Sequence, residues 1–371
     1  MDAMPARPFD PLAAVRPHAE PGFDLLLAGT VFQDIIFTGL PHGPEPGTEV
    51  WSDGMGSCPG GVANQAIAAA RLGLRTGLAA AFGDDGYGDF NWKILSGQEH
   101  VDLSLSRRVP GWHSPVTVSL CVDQDRSLVT HGHSAPVTNS ELIGDPPKAL
   151  AGIAEVGLEM EPWARAAHSA GVKLFGDVGW DPSGEWAPVR LDNLQYFYAF
   201  LPNQREAMAF TGKDNPWSAL YALADRVPVA VVTLGAQGAM AVDSETGEEE
   251  WVPSLPVKAH DPTGAGDCFD AAFIVGTLAG WPLGDRLRFA NLCASLAVQR
   301  IPGGPGLGRH RGLVETRQRP PGTADQPMAA AFWLPDGHHR RRAARCPAPR
   351  VGHHRAPVGC LSSAGRPDYS A

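Results

Sequence analysis

The sequence predicts an α/β protein built as a three-layer αβα sandwich, with a central, mostly parallel sheet and a small β lid. Two observations predict this fold. Short apolar runs typical of buried strands alternate along the chain with helical segments, the pattern of a parallel sheet covered by helices. Two strand-rich stretches, near residues 38–56 and 112–133, break that alternation and predict a separate small sheet.

Each half of the chain contributes elements of both kinds, recognised from apolar periodicity and from the glycines that end helices. In the N-terminal half they are strand Phe23–Val31, helix Val62–Leu72, strand Thr76–Phe82, a helix near Asp89–Glu99, and a hairpin of Val116–Val122 with Ser127–Thr130. From residue 161 onward they are helix Glu161–Ala170, strand Val172–Asp177, a strand ending at Leu201, a helix from Gln204, strand Val229–Leu234, a hairpin over Ala239–Val252, a helix from Asp261–Gly266 through Gly280, and helix Leu283–Arg300.

Composition and charge exclude several classes of protein. The 371 residues are 43% hydrophobic, enough for a sizeable core, and carry a net charge of −10, which argues against a nucleic-acid partner. No apolar run reaches the ~18 residues that a membrane helix needs, and the N-terminus lacks the order of a signal peptide. The six cysteines form no C-x-x-C pair. We therefore expect a cytoplasmic protein with reduced thiols and no membrane partner.

The chain divides into three parts by composition. Residues 1–22 are proline-rich and predict a loose leader, and residues 23–302 contain all the predicted elements. Residues 303–371 have 11 Arg, no Lys and no apolar period. This composition is typical of a GC-rich gene translated out of frame, and a disordered extension is the alternative.

The strongest chemical signal is the segment from Asp261 to Asp267, D-P-T-G-A-G-D, which leads directly into an apolar helix. Glycines at 264 and 266 allow backbone N–H groups to approach a ligand, and the helix N-terminus adds partial positive charge. Gly264, Ala265 and Gly266 are thus suited to hold a phosphate during transfer. Asp267 lies in the first turn, where a carboxylate can accept a proton from a hydroxyl or simply cap the helix.

A second signal comes earlier, in Gly60-Gly61-Val-Ala-Asn64, followed by A-R-L-G and G-D-D-G-Y-G. Adjacent glycines permit close backbone approach, and the Asn64 amide can both donate to and accept from a polyol. This pair of motifs, in this order, resembles the two signatures of the ribokinase (pfkB) carbohydrate-kinase family over about residues 23–302. The resemblance implies an ATP-dependent kinase with a ribokinase-like fold and a sugar as its small-molecule substrate.

The resemblance also implies roles for individual residues. Asp267 becomes the catalytic base, Gly264, Ala265 and Gly266 the anion hole, and Asp34, Gly60, Gly61 and Asn64 the sugar site. Nucleotide-binding positions would be Thr233, Gly235, Gly238 and Asn291. The family's N-x-x-E element is Asn203 and Glu206, which would hold Mg²⁺ through water, and Asp261 and Thr263 match part of a monovalent-cation (K⁺) site. The family often dimerises through its lid strands, which implies a homodimer.

Other nucleotide enzymes do not fit. The Gly212-Lys213 pair is followed by Asp and has no Gly five residues before it, which excludes a Walker motif, and no G-x-G-x-x-G follows the first strand. His131 and His133 lie in the predicted lid, but the irregular histidine spacing predicts no metal site. Two alternatives stay open: a nucleoside kinase of the same superfamily, and a catalytically inactive sugar- or nucleoside-binding relative.

Overall fold

The structure is a computed structural model and describes residues 10–16, 22–122, 125–179, 184–259 and 262–299. Its strands are β1 Phe23–Ala28, β2 Val31–Leu40, β3 Gly54–Gly61, β4 Thr76–Ala79, β5 Ala81–Gly83, β6 Arg107–Val109, β7 Val116–Val122, β8 Asp125–His131, β9 Ala149–Glu155, β10 Lys173–Asp177, β11 Ala199–Phe200, β12 Val229–Thr233, β13 Ala239–Asp243 and β14 Glu248–Val252. Its α-helices are α1 Val62–Arg71, α2 Gly86–Trp92, α3 Asn139–Ile143, α4 Pro162–Ser169, α5 Gln204–Thr211, α6 Pro216–Ala224, α7 Ala265–Leu278 and α8 Leu283–Ala297. A π-helical segment (Lys93–Gln98) and two 3₁₀ segments (Pro188–Tyr196 and Gly235–Gln237) complete the elements of the described residues.

The central sheet has eight strands in the order β14-β13-β12-β11-β10-β9-β1-β4. The six strands from β12 to β4 run parallel, and the hairpin β13–β14 adds an antiparallel edge. This topology confirms the predicted α/β fold with a mostly parallel sheet. All carboxyl ends of the parallel strands meet at one edge, which is where ligands bind in such sheets.

Helices cover both faces of the sheet. Helix α7 contacts both α1 and α8, and these three helices cover one face, while α4, α5 and α6 pack against the other. The alternation of side chains along β1 shows why both layers are needed: Leu26 belongs to the same buried cluster as Trp163 of α4 and Phe210 of α5, whereas Leu25 and Leu27 point to the opposite face. A strand buried on both faces is mostly apolar, as this one is apart from Asp24, whose buried carboxylate is paired with Arg16 and Arg75.

A second sheet, with strand order β3-β2-β7-β8, lies outside the central one. Its strands β7 and β8 coincide with the predicted hairpin, but β2 and β3 flank the predicted segment 38–56 rather than fill it. Residues 41–53 between them form no strand, because this stretch is rich in Gly and Pro, which suit turns better than strand ladders.

Two strand boundaries differ from the sequence predictions, and one strand of the central sheet was not predicted. The strand predicted over Phe23–Val31 stops at Ala28, and Val31 already starts β2 in the other sheet. The strand predicted over Thr76–Phe82 is divided between β4 in the central sheet and β5, which pairs with β6. Strand β9 was not predicted at all, since its sequence A-L-A-G-I-A-E lacks β-branched residues except for Ile153; its place between β1 and β10 makes it a strand.

Part of the predicted leader is docked on the core. Within residues 10–16, Leu12 is fully buried, and Arg16 bonds Asp10 and the buried carboxylate of Asp24 at 2.8 Å each. Residues 1–9 and 17–21 of the leader, Asp261, and the predicted tail over 303–371 lie outside the described residues. Among the helices of the described residues, none is both long enough and apolar enough to cross a membrane.

Candidate active site

Polar residues collect where the central strands end. Asp177 closes β10 next to Glu155, the last residue of β9, with which it pairs in register. One strand further, Asn203 forms a β-bridge with Thr233, the last residue of β12. The parallel sheet therefore brings residues separated by almost 80 positions to one edge, as the strand order requires.

The two sequence motifs meet at the start of α7. Gly264 is the N-cap residue and has a φ of 75° and ψ of 5°, the left-handed conformation that glycine adopts without strain. A side chain added to Gly264 would lie 3.8 Å from both the Asn64 amide carbon and an Asp267 carboxylate oxygen. Asn64 donates a hydrogen bond to the carboxylate of Asp267. The first turn of α7, which contains Asp267, thus lies beside Asn64, the third residue of α1. Of the predicted anion-hole amides, the Ala265 N–H is bonded to the Pro262 carbonyl at 3.2 Å.

Asp34 is held against the double glycine. It lies on β2 opposite β3, is 8% exposed, and a Cβ built on Gly60 would come within 2.0 Å of its carboxylate oxygen. Any side chain at residue 60 would therefore displace Asp34. Gly61 has a φ of 62°, and a Cβ there would lie 2.4 Å from the carbonyl oxygen of Thr30. Gly60 is therefore required by the close Asp34 carboxylate, and Gly61 by its positive φ and the close Thr30 carbonyl, which explains this part of the motif physically.

The carboxylates of this edge raise one another's pKa. Burial, together with the negative charges of Asp177 and Asp34, raises the pKa of Asp267 to about 7, against the hydrogen bond from Asn64. Burial likewise raises the pKa of Asp177 to about 6 and that of Glu206 to about 7. A carboxyl group with a pKa near the working pH can both accept and release a proton, which is what a general base requires.

Three residues of this cluster, Asp177, Gln65 and Asp270, were not predicted as site residues from the sequence. Gln65, the residue after Asn64, donates from its amide nitrogen to Asp177 at 2.7 Å and to Asp270 at 3.3 Å. Asp270 is 6% exposed, and burial together with the nearby Asp177 raises its pKa well above the ordinary value. Gln65 therefore ties α1, α7 and the end of β10 together. Asp270 lies one turn after Asp267 on the same helix. This spacing places both side chains on one side of the helix and could have indicated Asp270 from the sequence.

Arg126 was also missed. It lies on β8 of the second sheet, and its guanidinium donates to the hydroxyl oxygen of Thr263 at 2.6 Å, just before the anion-hole glycines. Its positive charge lowers the pKa of Asp267. Strand β8 thus places a positively charged side chain at the N-terminus of α7. No local sequence pattern predicts this contact, because Arg126 and Thr263 are 137 residues apart along the chain.

Asn203 and Glu206 form a capping box at the start of α5. The Glu206 carboxylate accepts from the Asn203 backbone N–H at 2.9 Å, and the Asn203 side-chain oxygen accepts from the Glu206 N–H at 3.0 Å. The negative charge of Asp177 raises the pKa of Glu206, so the two carboxyl groups are electrostatically coupled. The carboxylate oxygens of Glu206 and Asp177 repel each other at this edge of the sheet. A hard divalent cation such as Mg²⁺ prefers oxygen ligands and would relieve that repulsion.

The predicted nucleotide residues surround the ends of β12 and β14. Gly235 and Gly238 both have positive φ, 59° and 97°, and flank a 3₁₀ turn directly after Thr233. A Cβ on Gly238 would lie 2.0 Å from the carbonyl oxygen of Val252. Asn291 is buried and donates to that same carbonyl at 2.9 Å. Gly238 and Asn291 therefore fix the Val252 backbone, and a direct contact of either with a nucleotide stays a prediction.

Comparison with known proteins shows the family of this chain. The pfkB family of carbohydrate kinases matches residues 45–305, more than half of the chain. The chain belongs to this family. It is therefore a carbohydrate kinase, a phosphotransferase, and the resemblance predicted from the two glycine motifs is confirmed.

Individual relatives and structures extend the comparison. The ribokinase of Bacillus subtilis (strain 168) is 27% identical over 289 residues, covering 74% of this chain and 92% of the relative. A nucleoside kinase of Methanothermobacter thermautotrophicus is 27% identical over 285 residues, covering 74% and 89%. Arabidopsis thaliana ribokinase complexed with ribose and ATP superposes with a TM-score of 0.67 at 23% identity, over 81% of this chain and all of that one. Burkholderia thailandensis nucleoside kinase in complex with inosine gives 0.65 at 19% identity, over 79% and 97%.

Proposed function

We propose that this kinase transfers the γ-phosphoryl group of ATP to a hydroxyl of a sugar or sugar-like substrate, with Asp267 as the base. The observation that carries the proposal is the contact between the two motifs: Asn64 donates to Asp267 beside the left-handed Gly264 at the mouth of α7. A substrate hydroxyl held at Asn64 then lies next to a carboxyl group whose pKa is about 7. ATP as donor is supported by the ribokinase structure that contains it.

Each proposed group has one task. Asp34, fixed over Gly60, orients the substrate by accepting from its hydroxyls, and Asp267 takes the proton of the attacking hydroxyl. An α-helix leaves the amides of its first turn without partners inside the helix, so those of Gly266 and Asp267 face the transferred group together with the positive helix end. Arg126 adds a full positive charge there. Phosphoryl transfer needs mainly alignment and charge neutralisation, and these groups supply both.

Magnesium would be held at Glu206 and Asn203, next to Asp177, where it would neutralise charge on the phosphates of the nucleotide. A monovalent cation at Asp261 and Thr263 also stays a prediction, and the Thr263 hydroxyl is the part of that site that Arg126 contacts. We place the protein in the cytoplasm and propose that the second sheet closes over the acceptor as a lid.

Dimerisation through this lid is a further part of the proposal. The second sheet and its connection expose large apolar side chains, with Trp51 80%, Met55 65% and Val129 63% exposed. Exposed apolar surface of this kind is typical of interfaces between protein chains. Light scattering of the purified chain at several concentrations tests it: a mass of two chains is expected, and a mass of one chain at all concentrations would contradict it.

A substrate panel tests the catalytic proposal. The chain is incubated with ATP and Mg²⁺ and with pentoses, hexoses, keto-deoxy acids or nucleosides, and ADP release is measured by a coupled assay. We expect turnover with one sugar class and a rate about 10²–10⁴-fold lower with Asp267→Asn. Phe32 lies against Gly61, within 2.7 Å of a Cβ built there, and this aromatic face favours a nucleoside as second candidate. Binding without ADP release for every compound would contradict an active kinase.

A further inference from the structure

Three histidines converge on the second sheet, away from the residues proposed for catalysis. His113 precedes β7, His131 is the last residue of β8, and His133 follows two residues later. One ring nitrogen of each lies within 4.8 Å of the others, and the ring centroids are 5.2–5.5 Å apart. Among the described residues this is the one group of three or more His, Cys, Asp or Glu side chains with such spacing.

The backbone brings the three rings together. Residues two apart on an extended chain point to the same side, so His131 and His133 present both imidazoles together. His131 pairs with Val116, which places the segment from His113 to Pro115 alongside. Gly132 makes the approach feasible, because a Cβ there would lie 2.6 Å from the Pro115 side chain.

One of the rings is oriented for metal binding. Nδ1 of His113 lies 2.8 Å from the carbonyl oxygen of Ser114, and because a carbonyl only accepts, Nδ1 carries the proton. The lone pair of Nε2 is then available, as in metal-binding histidines whose other nitrogen donates to a carbonyl. Ser114 is itself fixed by Asp85, whose carboxylate accepts from its N–H at 2.7 Å and from its hydroxyl at 3.0 Å.

The cluster lies on the other face of the second sheet from Asp34. His131, Val116 and Gln33 are in register across β8, β7 and β2, so their side chains share one face. Asp34 is the next residue of β2 and points to the opposite face, toward Gly60. An ion bound at the histidines would therefore be separate from the magnesium used with ATP.

We propose that His113, His131 and His133 bind one divalent transition-metal ion of the imidazole-preferring kind, represented by Zn²⁺, with water in the fourth position. Three imidazole nitrogens and an open position form a known type of zinc coordination. Tetrahedral Zn–N bonds need nitrogens about 3.3 Å apart, and rotation of the exposed His131 and His133 side chains closes the remaining gap. Mg²⁺ prefers oxygen ligands and does not compete. The ion would join the segment before β7 to the end of β8.

Zinc titration of the full chain tests the proposal. The protein is produced without a histidine tag, and the five histidines of the tail are replaced by Gln to give the parent protein: His310, His338, His339, His353 and His354. Calorimetry with Zn²⁺ should show one site, and Co²⁺ in place of Zn²⁺ should give the visible bands of a tetrahedral ion. Saturating Zn²⁺ should raise the melting temperature, because the ion binds the folded chain.

Single replacements identify the ligands. His131→Gln and His133→Gln should each weaken Zn²⁺ binding by about 100-fold or more and abolish the cobalt bands, while metal-free melting temperatures stay equal to the parent. His42→Gln, at an exposed histidine outside the cluster, is the matched control and should bind as the parent does. No Zn²⁺ binding by the parent at 100-fold excess over protein, or unchanged binding by either cluster variant, would overturn the proposal.

Discussion

Replacing Asp267 by Asn tests the proposed base with little change in side-chain shape. The Asn oxygen can still accept the hydrogen bond from Asn64, but the group can no longer accept a proton. General-base catalysis contributes about 10²–10⁴-fold, so kcat should fall by that factor. In the unmodified enzyme, kcat/KM should rise with pH as Asp267 loses its proton near its pKa of about 7.

The same substitution should stabilise the fold at alkaline pH. The native state binds the Asp267 proton more tightly than the unfolded chain does, since burial and neighbouring charges raise the pKa from 3.8 to about 7. Asp267 therefore lowers the free energy of unfolding by an amount that depends on pH. This destabilisation is absent below about pH 4, grows as the pH rises toward 7, and reaches about 4 kcal/mol at pH 8. The side chain keeps some solvent contact, so we expect a net gain of about 1–3 kcal/mol from Asp267→Asn at pH 8.

The assay combines activity with thermal unfolding at two pH values. The expected gain in the free energy of unfolding corresponds to a rise in melting temperature of about 2–6 °C for Asp267→Asn at pH 8. At pH 5 this rise in melting temperature should be less than half as large. Asp285→Asn is the matched control, because Asp285 lies in the first turn of α8, exposed and bonded to Arg288. Activity within about tenfold of wild type would refute the assignment of the base. A loss of stability at pH 8 would refute the electrostatic reasoning.

Three further substitutions test how the site is held together. Gly60→Ala should raise the KM for the sugar by at least about tenfold, because its Cβ would occupy the space of the Asp34 carboxylate; steady-state kinetics measure this. Arg126→Ala should lower kcat by about 10–100-fold and move the acidic limb of the pH–rate profile to higher pH, since the cation lowers the pKa of Asp267. Gln65→Leu should destabilise the protein by about 1–3 kcal/mol in chemical denaturation at pH 7, because two buried carboxyl groups lose their shared donor.

Each of these has a matched control at an exposed position. Gly43→Ala introduces a Cβ into open space, Arg226→Ala removes a surface arginine paired with Asp192, and Gln195→Leu removes a surface amide. All three controls should behave as wild type. An unchanged KM in Gly60→Ala would show that the sugar does not depend on the carboxylate beside it. An unchanged pH–rate profile for Arg126→Ala would contradict the effect of Arg126 on the pKa of Asp267. Wild-type stability of Gln65→Leu would contradict the role of Gln65 as shared donor to the two buried carboxyl groups.

Local chemistry explains which site residues were predictable. The Gly264 turn and the double glycine at 60–61 are recognisable because glycine at positive φ or under close backbone approach leaves a short, specific pattern. Gln65 and Arg126 leave no such pattern. Their partners lie 112 and 137 residues away, so their roles exist only once the sheets have formed.

Helices α3 and α6 were not predicted from the sequence. The alternation of strands and helices that defines the fold class followed from periodicity and apolar runs alone, and so did the hairpin of β7 and β8. The alanine-rich β9 did not, because its conformation is imposed by pairing with β1 and β10 rather than by its own residues. The sequence by itself thus determined the fold class and the glycine-lined helix mouth. Only the tertiary structure decided which carboxyl groups share one electrostatic site and that three scattered histidines become neighbours, since charge coupling and metal geometry depend on distance in space and not along the chain.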